Sequence, residues 1–583
     1  LARAPRLAAR WPARLSSRMT TSPDRLVIAL AQLNPTVGDV AGNLALIRQA
    51  RAAAAAAGAE VLLTAELALS GYPPEDLVCK PAFLAALRAA AETLAAETAD
   101  GGPAVLLATP WCEAIPAEGV PRPLVTNAML YLDQGRIVSR RDKHDLPNYG
   151  VFDEKRVFQA GPLPGPINVR GVRLGVMICE DMWTPDAAET LAESGAEILL
   201  VPNGSPFETD KLDERLQLAV ARVTETGLPL VYLNQVGGQD ELVFDGGSFV
   251  LQADCALAGQ LPAFESALAI TRWERRGEGW HCAEAPVTRP AEGLEQVYRA
   301  LMLGLGDYVN KNGFSGIILG LSGGIDSAIS AAVAVDALGA ERVRAVMLPS
   351  PYTSQDSLDD AADCAQRLGI RLDTVSIEPA MQAFGAMLAP LFAGLAPNIA
   401  EENVQARARG LTLMALSNKL GPMVLSTGNK SEMSVGYATL YGDMCGGFNV
   451  LKDVYKTEVY ALSNWRNRAH PPGARGPAGR VIPERIITKA PTAELKPNQT
   501  DQDSLPPYDE QDAILAGLIE REATVETLQA EGHARETVLR VWRMLDGAEY
   551  KRRQAAPGVK ITRRNLSRER RYPITNGFRA PRI

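Results

Sequence analysis

Short apolar runs alternate with longer helix-like segments along the first half of the chain. Between Leu26 and about Arg272 the runs are LVIALAQL, EVLLTAEL, AVLLATP, AMLYL, RLGVMICED, EILLVPNG and LVYLNQV. They are bounded by Gly, Pro and Asn, and segments of helical periodicity separate several of them. Strands that alternate with helices in this way are typical of an α/β domain. The pattern therefore predicts a layered sheet-and-helix domain over residues 25–272.

A second domain is predicted to follow a stretch that has no sustained periodicity. Residues 273–292, WERRGEGWHCAEAPVTRPAE, contain Gly and Pro and are predicted to form a linker. The amphipathic segment GLEQVYRALMLGLGDYVNK comes next, and helices then separate the apolar runs IILGLSGGIDS, VRAVMLP, LDTVSI and MVLSTGN. This spacing indicates βαβ crossovers. It predicts a doubly wound, Rossmann-like parallel sheet over residues 293–583.

Composition and charge narrow the class of protein. The chain has 583 residues, of which 46% are hydrophobic and 22% charged, with a net charge of −8. These values are typical of a soluble globular protein of roughly two to four domains, and the negative charge argues against a nucleic-acid partner. No apolar run reaches the length of about 18 residues expected of a membrane span. The seven cysteines are scattered without a C-x-x-C pair, which favours a reducing cytoplasm over a disulfide framework or a zinc site.

Both ends of the chain are basic. Residues 1–24 carry five arginines and no acid before Asp24, which resembles a mitochondrial transit peptide. We favour instead an upstream or disordered tail ahead of the folded body. Residues 551–583 contain eleven basic residues and a single acid, Glu569. Such a tail is compatible with a nucleic-acid-binding arm. We favour instead a tail that contacts a pyrophosphate-bearing dinucleotide or a neighbouring subunit. We also expect the protein to form a homo-oligomer, either a dimer or a larger assembly.

Three polar residues stand at or just after the ends of predicted strands: Glu66 after VLLTA, Lys143 after RIVSRRD, and Cys179 inside GVMICED. Strand ends in α/β layers meet in one crevice, so these side chains are expected to converge. A thiol is a strong nucleophile only as the thiolate. Glu66 could take the thiol proton, and Lys143 could stabilise the thiolate and the oxyanion formed on attack. Taken singly, the same residues also suit a buried apolar Cys, a helix-capping Glu and a solvated Lys.

The segments around these residues resemble the carbon–nitrogen hydrolase (nitrilase) superfamily and, within it, the glutamine-hydrolysing branch. They are AELALSGYPPEDL (65–77), KHDLPNYGVFDEKRVF (143–158), GVMICEDMW (175–183) and NQVGGQDELVFDGGSF (234–249). The resemblance implies an αββα sandwich in which Glu66, Lys143 and Cys179 form a catalytic triad that works through a thioester. It also implies that Tyr149, Ser205, Lys211 and Glu154 contact glutamine. Of these, Glu154 matches the second glutamate that the family places beside the catalytic lysine, here Lys143.

In the second domain, the strand IILGL turns through Ser322, Gly323 and Gly324 into the helix SAISAAVAVDALG. Free backbone N–H groups and the positive end of a helix dipole make such a turn a site for a nucleotide phosphate. Asp326 could help to hold a metal ion, and the serines of SGGIDS could donate hydrogen bonds. The sequence G-x-x-x-x-G-K-[ST] does not occur here, which disfavours a P-loop NTPase.

SGGIDS resembles the signature motif of the PP-loop ATP pyrophosphatases. Six further blocks are similar to the glutamine-dependent NAD⁺ synthetase family. Together with the blocks of the first domain, this resemblance covers residues 26–583. The six blocks are YTSQDS (352–357), EENVQARARG (401–410), LSTGNKSE (425–432), YGDMCGGFNVLKDVYKTEVY (441–460), AELKPNQTDQDSLPPYDE (493–510) and EYKRRQAAPGVKITRR (549–564). The resemblance implies ATP contacts at Gly320, Leu321, Ser322, Gly323, Gly324, Ile325, Asp326, Ser327, Thr427 and Lys456. It implies deamido-NAD⁺ contacts at Asn403, Glu432 and Lys551, with Mg²⁺ at Asp326.

The activity that the resemblance implies couples the two domains. Glutamine would be hydrolysed at Cys179, and the ammonia would pass internally to deamido-NAD⁺ that ATP has adenylated, giving NAD⁺, AMP and diphosphate. Two alternatives stay open on the sequence. One is a PP-loop amidotransferase with another acceptor, and the other is an amidase regulated by a non-catalytic nucleotide-binding domain. AMP and NAD⁺ formed per glutamine consumed would distinguish them.

Overall fold

The computed structural model of the chain describes residues 23–115, 124–497 and 499–578. The predicted tail at residues 1–24 lies outside the described residues, except for its last two positions. Among the described helices, none combines the length and the apolar content that crossing a membrane requires.

Strands and helices alternate along most of the described chain. The strands are β1 Arg25–Gln32, β2 Val61–Thr64, β3 Ala104–Trp111, β4 Thr126–Asp133, β5 Arg136–Asp142, β6 Ile167–Val169, β7 Val172–Val176, β8 Ile198–Asn203, β9 Leu230–Asn234, β10 Val236–Gln239, β11 Leu242–Asp245, β12 Phe249–Leu251, β13 Leu257–Gln260, β14 Ala267–Arg276, β15 Gly279–Glu284, β16 Ile317–Gly320, β17 Val343–Met347, β18 Arg371–Thr374, β19 Met423–Ser426 and β20 Phe448–Asn449. The helices are α1 Val40–Ala56, α2 Pro81–Glu97, α3 Glu154–Val157, α4 Pro185–Glu193, α5 Lys211–Thr226, α6 Leu294–Lys311, α7 Ile325–Leu338, α8 Gln355–Leu368, α9 Glu378–Leu388, α10 Ile399–Leu420, α11 Lys430–Val435, α12 Lys456–Arg468, α13 Glu484–Thr488, α14 Tyr508–Glu520, α15 Val525–Ala530, α16 Arg535–Gly547 and α17 Glu549–Arg552.

Two sheets stacked face to face form the N-terminal domain, with helices on both outer faces. The strand orders are β15-β14-β1-β2-β3-β4-β5 and β13-β12-β9-β8-β7-β6. Leu63 of β2 and Leu200 of β8 belong to the core between the sheets. Leu62 belongs to the core under α1 and α2, and Leu199 to the core under α4 and α5. Because side chains alternate between the two faces of a strand, each sheet is buried on both faces. The predicted αββα sandwich is confirmed.

The predicted linker at residues 273–292 is wrong for most of its length. Strand β14 runs to Arg276 and pairs antiparallel with both β1 and β15. Trp273 and Trp280 are buried in the core between the sheets. The buried positions do alternate, with Ala269, Thr271 and Trp273 in β14 and Trp280 and Cys282 in β15. The pattern is hard to recognise in the sequence because charged residues and two glycines at 274–279 separate the two sets, with the hairpin turn at Gly277, where φ is 62°. The N-terminal sheet therefore extends to Glu284.

The second domain is built on a parallel sheet with the order β18-β17-β16-β19-β20. Ile317 and Leu319 of β16 share a core with α6 and α7. Ile318, between them in sequence, belongs to the core on the α10 face. Helices thus cover both faces of the sheet, and the predicted doubly wound fold is confirmed.

The basic C-terminal segment, which follows α17, crosses to the N-terminal domain. Lys560 Nζ lies 2.7 Å from Glu208 Oε1, and Thr209 N donates to the Ile561 carbonyl at 3.0 Å. Further along, Arg568 forms an ion pair with Glu75. Acidic side chains of the same polypeptide therefore neutralise part of the basic charge of this segment.

A buried ion pair fastens α12 to α7. Arg466 and Asp336 are both fully buried, with Nε and Oδ2 2.5 Å apart. The Tyr298 hydroxyl of α6 donates to the same carboxylate at 2.7 Å.

We expect Arg466→Met to lower the free energy of unfolding by about 3–5 kcal/mol, because it leaves the Asp336 charge buried without a cation. Urea-induced unfolding measures this change. Arg480→Met is the control, because it removes the exposed Arg480–Glu484 pair from the same region and is expected to change stability little. Equal effects of the two substitutions would contradict the prediction.

Candidate active sites

Three strand ends bring Glu66, Lys143 and Cys179 into one buried site. Glu66 follows β2, Lys143 follows β5, and Cys179 follows β7 in the other sheet. Glu66 and Lys143 are completely buried, and Cys179 is 4% exposed. The predicted convergence of the three residues therefore holds in the structure, whereas their catalytic roles stay predictions.

The Lys143 ammonium lies between two carboxylates. Its Nζ is 2.8 Å from Glu66 Oε1 and 2.9 Å from Glu154 Oε1. Burial acts to lower the pKa of Lys143, but the charges of Glu154 and Glu66 outweigh burial and raise that pKa well above its ordinary value. Lys143 is therefore a fixed positive charge beside the thiol.

Glu66 is held by donors that the sequence analysis did not identify. Asn127 Nδ2 donates to Oε1 at 2.8 Å, and the Gly204 N–H donates to Oε2 at 2.8 Å. A Cβ atom at Gly204 would lie 2.9 Å from the Tyr72 ring, so the close approach of this backbone requires glycine. The carboxylate is thereby fixed in one orientation next to the ammonium.

The Glu154 carboxyl has a raised pKa. Its Oε1 also accepts a hydrogen bond from the Tyr72 hydroxyl at 2.8 Å, whereas its buried Oε2 has no partner among the described residues. Burial raises the pKa of Glu154 to about 7, against the opposing charge of Lys143. This carboxyl therefore titrates in the neutral range.

Cys179 begins a short 3₁₀ helix with a left-handed backbone, at φ of 51°. Such a conformation is strained in a residue other than glycine, and it occurs often at functional sites. Burial and the negative charge of Glu66 raise the pKa of the thiol well above its ordinary value, although Lys143 opposes them. The resting group is thus a thiol, and a base must remove its proton before it can attack.

Asp181 ties the Cys179 turn to the end of the strand that carries Lys143. Its carboxylate accepts hydrogen bonds from the backbone N–H groups of Ile178 at 2.9 Å, His144 at 2.9 Å and Asp145 at 2.8 Å. No local sequence pattern predicts this role for Asp181, although the residue lies inside the GVMICEDMW block.

The predicted glutamine contacts lie around this centre. The Tyr149 hydroxyl donates to Glu180 Oε1 at 2.9 Å, directly beside Cys179 in the chain, while Ser205 is buried and follows Gly204. Lys211 Nζ lies 4.8 Å from the centre of the Trp183 ring, at the end of the 3₁₀ helix that begins at Cys179. These placements suit a substrate pocket, and the roles in glutamine binding stay predictions.

A cavity of about 300 Å³ opens at the carboxyl ends of β16, β17 and β19 in the second domain. Most of the residues predicted to contact ATP or deamido-NAD⁺ line it, namely Gly320, Leu321, Ser322, Gly324, Ile325, Asp326, Ser327, Thr427, Glu432 and Lys456. Ligands of open α/β sheets bind at this edge. The N-terminus of α7, which begins at Ile325, faces the cavity and favours an anion there.

Gly323 shapes the turn and is not among the residues that line the cavity. Its φ is 79°, and a Cβ atom would lie 2.3 Å from the Ser357 carbonyl oxygen. Two other predicted contacts, Asn403 and Lys551, are likewise not among the residues that line the cavity. Asn403 accepts a hydrogen bond from Thr439 at 2.9 Å, and Lys551 donates to the Ala438 carbonyl at 2.7 Å. Their roles in binding deamido-NAD⁺ stay predictions.

A buried lysine lies between two carboxylates in this cavity as well. Lys456 forms ion pairs with Asp326 and with Glu432, the latter at 3.2 Å. Burial acts to lower the pKa of Lys456, but the two carboxylates raise it overall. Arg409, which no sequence pattern singles out, also lines the cavity and donates to the Leu348 carbonyl at 3.1 Å. Both cations can face the phosphates of a nucleotide.

Both domains match known families. Residues 27–276 match the carbon-nitrogen hydrolase family, and residues 297–555 match the NAD synthase family. The fold and the two sites therefore define an enzyme that combines an amide-hydrolysing domain with an NAD synthase domain.

Full-length relatives have the same combination. The chain is 52% identical to the glutamine-dependent NAD(+) synthetase of Rhodobacter capsulatus over 95% of this chain and 99% of the relative. It is similar to the solved structure of the glutamine-dependent NAD+ synthetase from Acinetobacter baumannii, with 42% identity, a TM-score of 0.74, and coverage of 96% of this chain and 100% of that one. The chain belongs to the glutamine-dependent NAD⁺ synthetase family. This favours NAD⁺ synthesis over another acceptor or a nucleotide-regulated amidase.

The pKa of Glu154 predicts a pH-dependent stability. Between its ordinary pKa of 4.5 and the folded value of about 7, the folded protein keeps a proton that the unfolded chain releases. The contribution of Glu154 to the free energy of unfolding therefore falls as pH rises from 4.5 to about 7, and it stays constant above that range. Because Gln does not titrate, we expect the unfolding temperature of Glu154→Gln, relative to wild type, to increase from pH 5 to pH 7 and then to level off.

Differential scanning fluorimetry across this pH range measures the effect. Glu92→Gln, on an exposed position of α2, is the matched control and should give a difference that does not vary with pH. A difference for Glu154→Gln that is equally constant would contradict the burial-induced shift.

Proposed function

We propose that the chain forms NAD⁺ from deamido-NAD⁺, ATP and L-glutamine, with L-glutamate, AMP and diphosphate as the other products. The observation that carries the proposal is that one polypeptide has both a buried thiol beside a lysine held by two carboxylates and a phosphate-binding turn in a nucleotide-sized cavity. The Acinetobacter baumannii relative was solved with ADP, which supports ATP as the nucleotide of this cavity.

In the first domain, Glu66 takes the proton of the Cys179 thiol, and the sulfur attacks the side-chain amide carbon of glutamine. Lys143 stabilises the negative charge that develops on the amide oxygen. The carbon–nitrogen bond then breaks, and Glu66 returns the proton to the departing ammonia. Water, deprotonated by Glu66, attacks the thioester and releases glutamate, which restores the thiol.

In the second domain, the nicotinate carboxylate of deamido-NAD⁺ attacks the α-phosphorus of ATP. The bond from that phosphorus to the bridging oxygen breaks, and diphosphate leaves. The N-terminus of α7 and Lys456 stabilise the charge of the phosphates during this step. Ammonia then attacks the carbonyl carbon of the adenylate and loses one proton to solvent, AMP departs, and the amide of NAD⁺ is formed.

The donor set of this cavity suits Mg²⁺. Among the described residues no group of three or more His, Cys, Asp or Glu could hold a metal ion alone. However, Mg²⁺ is usually bound by one or two carboxylates together with substrate phosphates. Asp326 and Glu432 line the cavity and supply such carboxylates. When bound there, Mg²⁺ would neutralise phosphate charge together with Lys456.

Internal transfer of ammonia follows from its acid–base chemistry. In neutral water most ammonia is protonated and has no lone pair with which to attack. Passage within the enzyme would keep it unprotonated and raise its effective concentration at the adenylate. Cys179 must remain a free thiol for this sequence of reactions, which supports a reducing compartment such as the cytoplasm as the location.

Cys179→Ala tests whether the first domain supplies ammonia from glutamine while the second domain forms NAD⁺. We expect NAD⁺ formation with glutamine to fall by at least about a thousandfold because the nucleophile is missing, while formation with ammonium chloride is retained. Chromatographic measurement of AMP and NAD⁺ with each nitrogen donor gives both rates. Cys255→Ala, away from the site, should retain both activities. Full glutamine-dependent synthesis by Cys179→Ala would refute the proposed role of the thiol.

We further propose that the chain forms a homo-oligomer through the region of α9 and α10. Large apolar side chains there are strongly exposed: Met387 at 68%, Leu391 at 75%, Leu395 at 68%, Ile399 at 66% and Leu411 at 64%. Exposed apolar surface of this kind typically marks a protein interface. A second copy of the chain is the proposed occupant.

Leu391→Glu combined with Leu411→Glu is expected to reduce the molar mass measured by light scattering to that of one chain, because burying two carboxylates in an apolar interface is costly. The control is Val287→Glu, which places a charge at an exposed apolar residue outside this region and should leave the mass unchanged. A wild-type protein that is already monomeric would rule out the proposed interface.

A further inference from the structure

A short segment of the first domain contacts both the glutamine pocket and the second domain. Residues 205–211 begin and end with Ser205 and Lys211, two of the four predicted glutamine contacts. Between them, the backbone N–H of Thr209 donates to the Ile561 carbonyl at 3.0 Å, and Glu208 Oε1 lies 2.7 Å from Lys560 Nζ. The middle of the segment is thus held by the C-terminal segment of the synthase domain.

The ion pair between the domains is largely removed from solvent. The Lys560 side chain is completely buried, and that of Glu208 is 16% exposed. Lys560 Nζ also donates to the Thr562 carbonyl at 2.8 Å and lies 3.5 Å from Glu569 Oε2. An ammonium buried in this way depends on its carboxylates, because either partner alone is costly to keep away from water.

Glu208 links Lys560 to the glutamine pocket. Its other oxygen, Oε2, lies 3.7 Å from Lys211 Nζ, which in turn lies over the Trp183 ring. The carboxylate is therefore shared by lysines from two domains. Lys211 Nζ also lies 2.9 Å from Glu214 Oε2, so Glu214 and Glu208 together set its position. Without Lys560, Glu208 would keep Lys211 as its cationic partner among the described residues, and a closer pairing would shift the ammonium relative to the Trp183 ring.

The same C-terminal segment is anchored beside the nucleotide cavity. The backbone N–H groups of Ile561 and Thr562 both donate to Asp453 Oδ2 at 2.8 Å. Lys430 Nζ donates to Thr562 Oγ1 at 2.6 Å. Lys430 begins α11, which carries the cavity residue Glu432. A continuous set of buried polar contacts therefore runs from the cavity wall to the glutamine pocket.

We propose that Lys560 and Glu208 are positioning residues for glutamine binding: their ion pair holds residues 205–211 in the conformation that places Lys211 for the substrate. This proposal rests on the proposed function and deepens it. Glutamine affinity is then a property of the docked pair of domains. Turnover with ammonia bypasses the pocket and does not depend on the ion pair.

The test uses Lys560→Met and Glu208→Gln in the full-length enzyme, with NAD⁺ formation measured against glutamine and, separately, against saturating ammonium chloride. Each variant is expected to raise the KM for glutamine about tenfold, which corresponds to about 1.4 kcal/mol. Turnover with ammonia should stay within about twofold of wild type. The double variant should raise KM no more than the larger single effect, because the two residues act as one unit.

Lys452→Met is the matched control. Lys452 Nζ lies 3.1 Å from Glu241 Oε1, so this substitution breaks another largely buried ion pair between the domains, one that does not involve residues 205–211. Its KM for glutamine should remain near the wild-type value. An equal rise in the control would overturn the proposal, because general loosening of the interface would then be the cause.

The remaining outcomes are also decisive. An unchanged KM in Glu208→Gln overturns the proposal, as does a double variant whose effect is the full sum of the singles. Glu208→Gln decides the question if Lys560→Met also loses ammonia-dependent activity through misfolding. Wild-type enzyme that forms no NAD⁺ from glutamine would instead contradict the proposed function itself.

Discussion

The burial of the Lys143 ammonium is the constraint on which the first active site depends. A positive charge with no exposed surface is tolerated only where nearby anions compensate for the lost hydration. Glu66 and Glu154 supply that compensation from different parts of the fold. Their own orientations are fixed by Asn127 and Tyr72. Thus the need to neutralise one cation accounts for most of the polar geometry around the thiol.

The second domain also has a buried lysine between two carboxylates, but this cluster lies in the nucleotide cavity. Lys456 also lies between two carboxylates, Asp326 and Glu432. This cluster lines an open cavity, whereas the cluster around Lys143 is closed. The first arrangement therefore keeps a permanent charge pattern beside a nucleophile. The second can exchange some of its internal partners for phosphate oxygens when a nucleotide enters.

The sequence predicted those features that lie in continuous segments. Runs of apolar residues identified most strands, and the residues at strand ends identified Glu66, Lys143 and Cys179. Asp181 was missed because its role is to accept backbone hydrogen bonds from another strand end, which no local pattern reveals. Strands β14 and β15 were mistaken for a linker because charged residues and two glycines at 274–279 separate their few buried positions.

The resemblance names Asn403 and Lys551 as substrate contacts, but the matching blocks do not predict the hydrogen bonds that hold these two side chains. Lys551 donates to the carbonyls of Gly436 and Ala438, and Asn403 accepts a hydrogen bond from Thr439. Nor can a sequence pattern pair residues such as Glu208 and Lys560, which lie far apart in the chain. Contacts of this kind depend on how the two domains dock.

The pairing of β1 with β14 has a consequence for how the protein is made. Strand β1 is flanked by β2, which follows it closely in sequence, and by β14, which comes more than two hundred residues later. On the ribosome, the N-terminal strand must wait for that late partner before its sheet is complete. Until then one edge of β1 is open to wrong pairing. Chaperones that shield the nascent chain would protect this open edge while the first domain is being made.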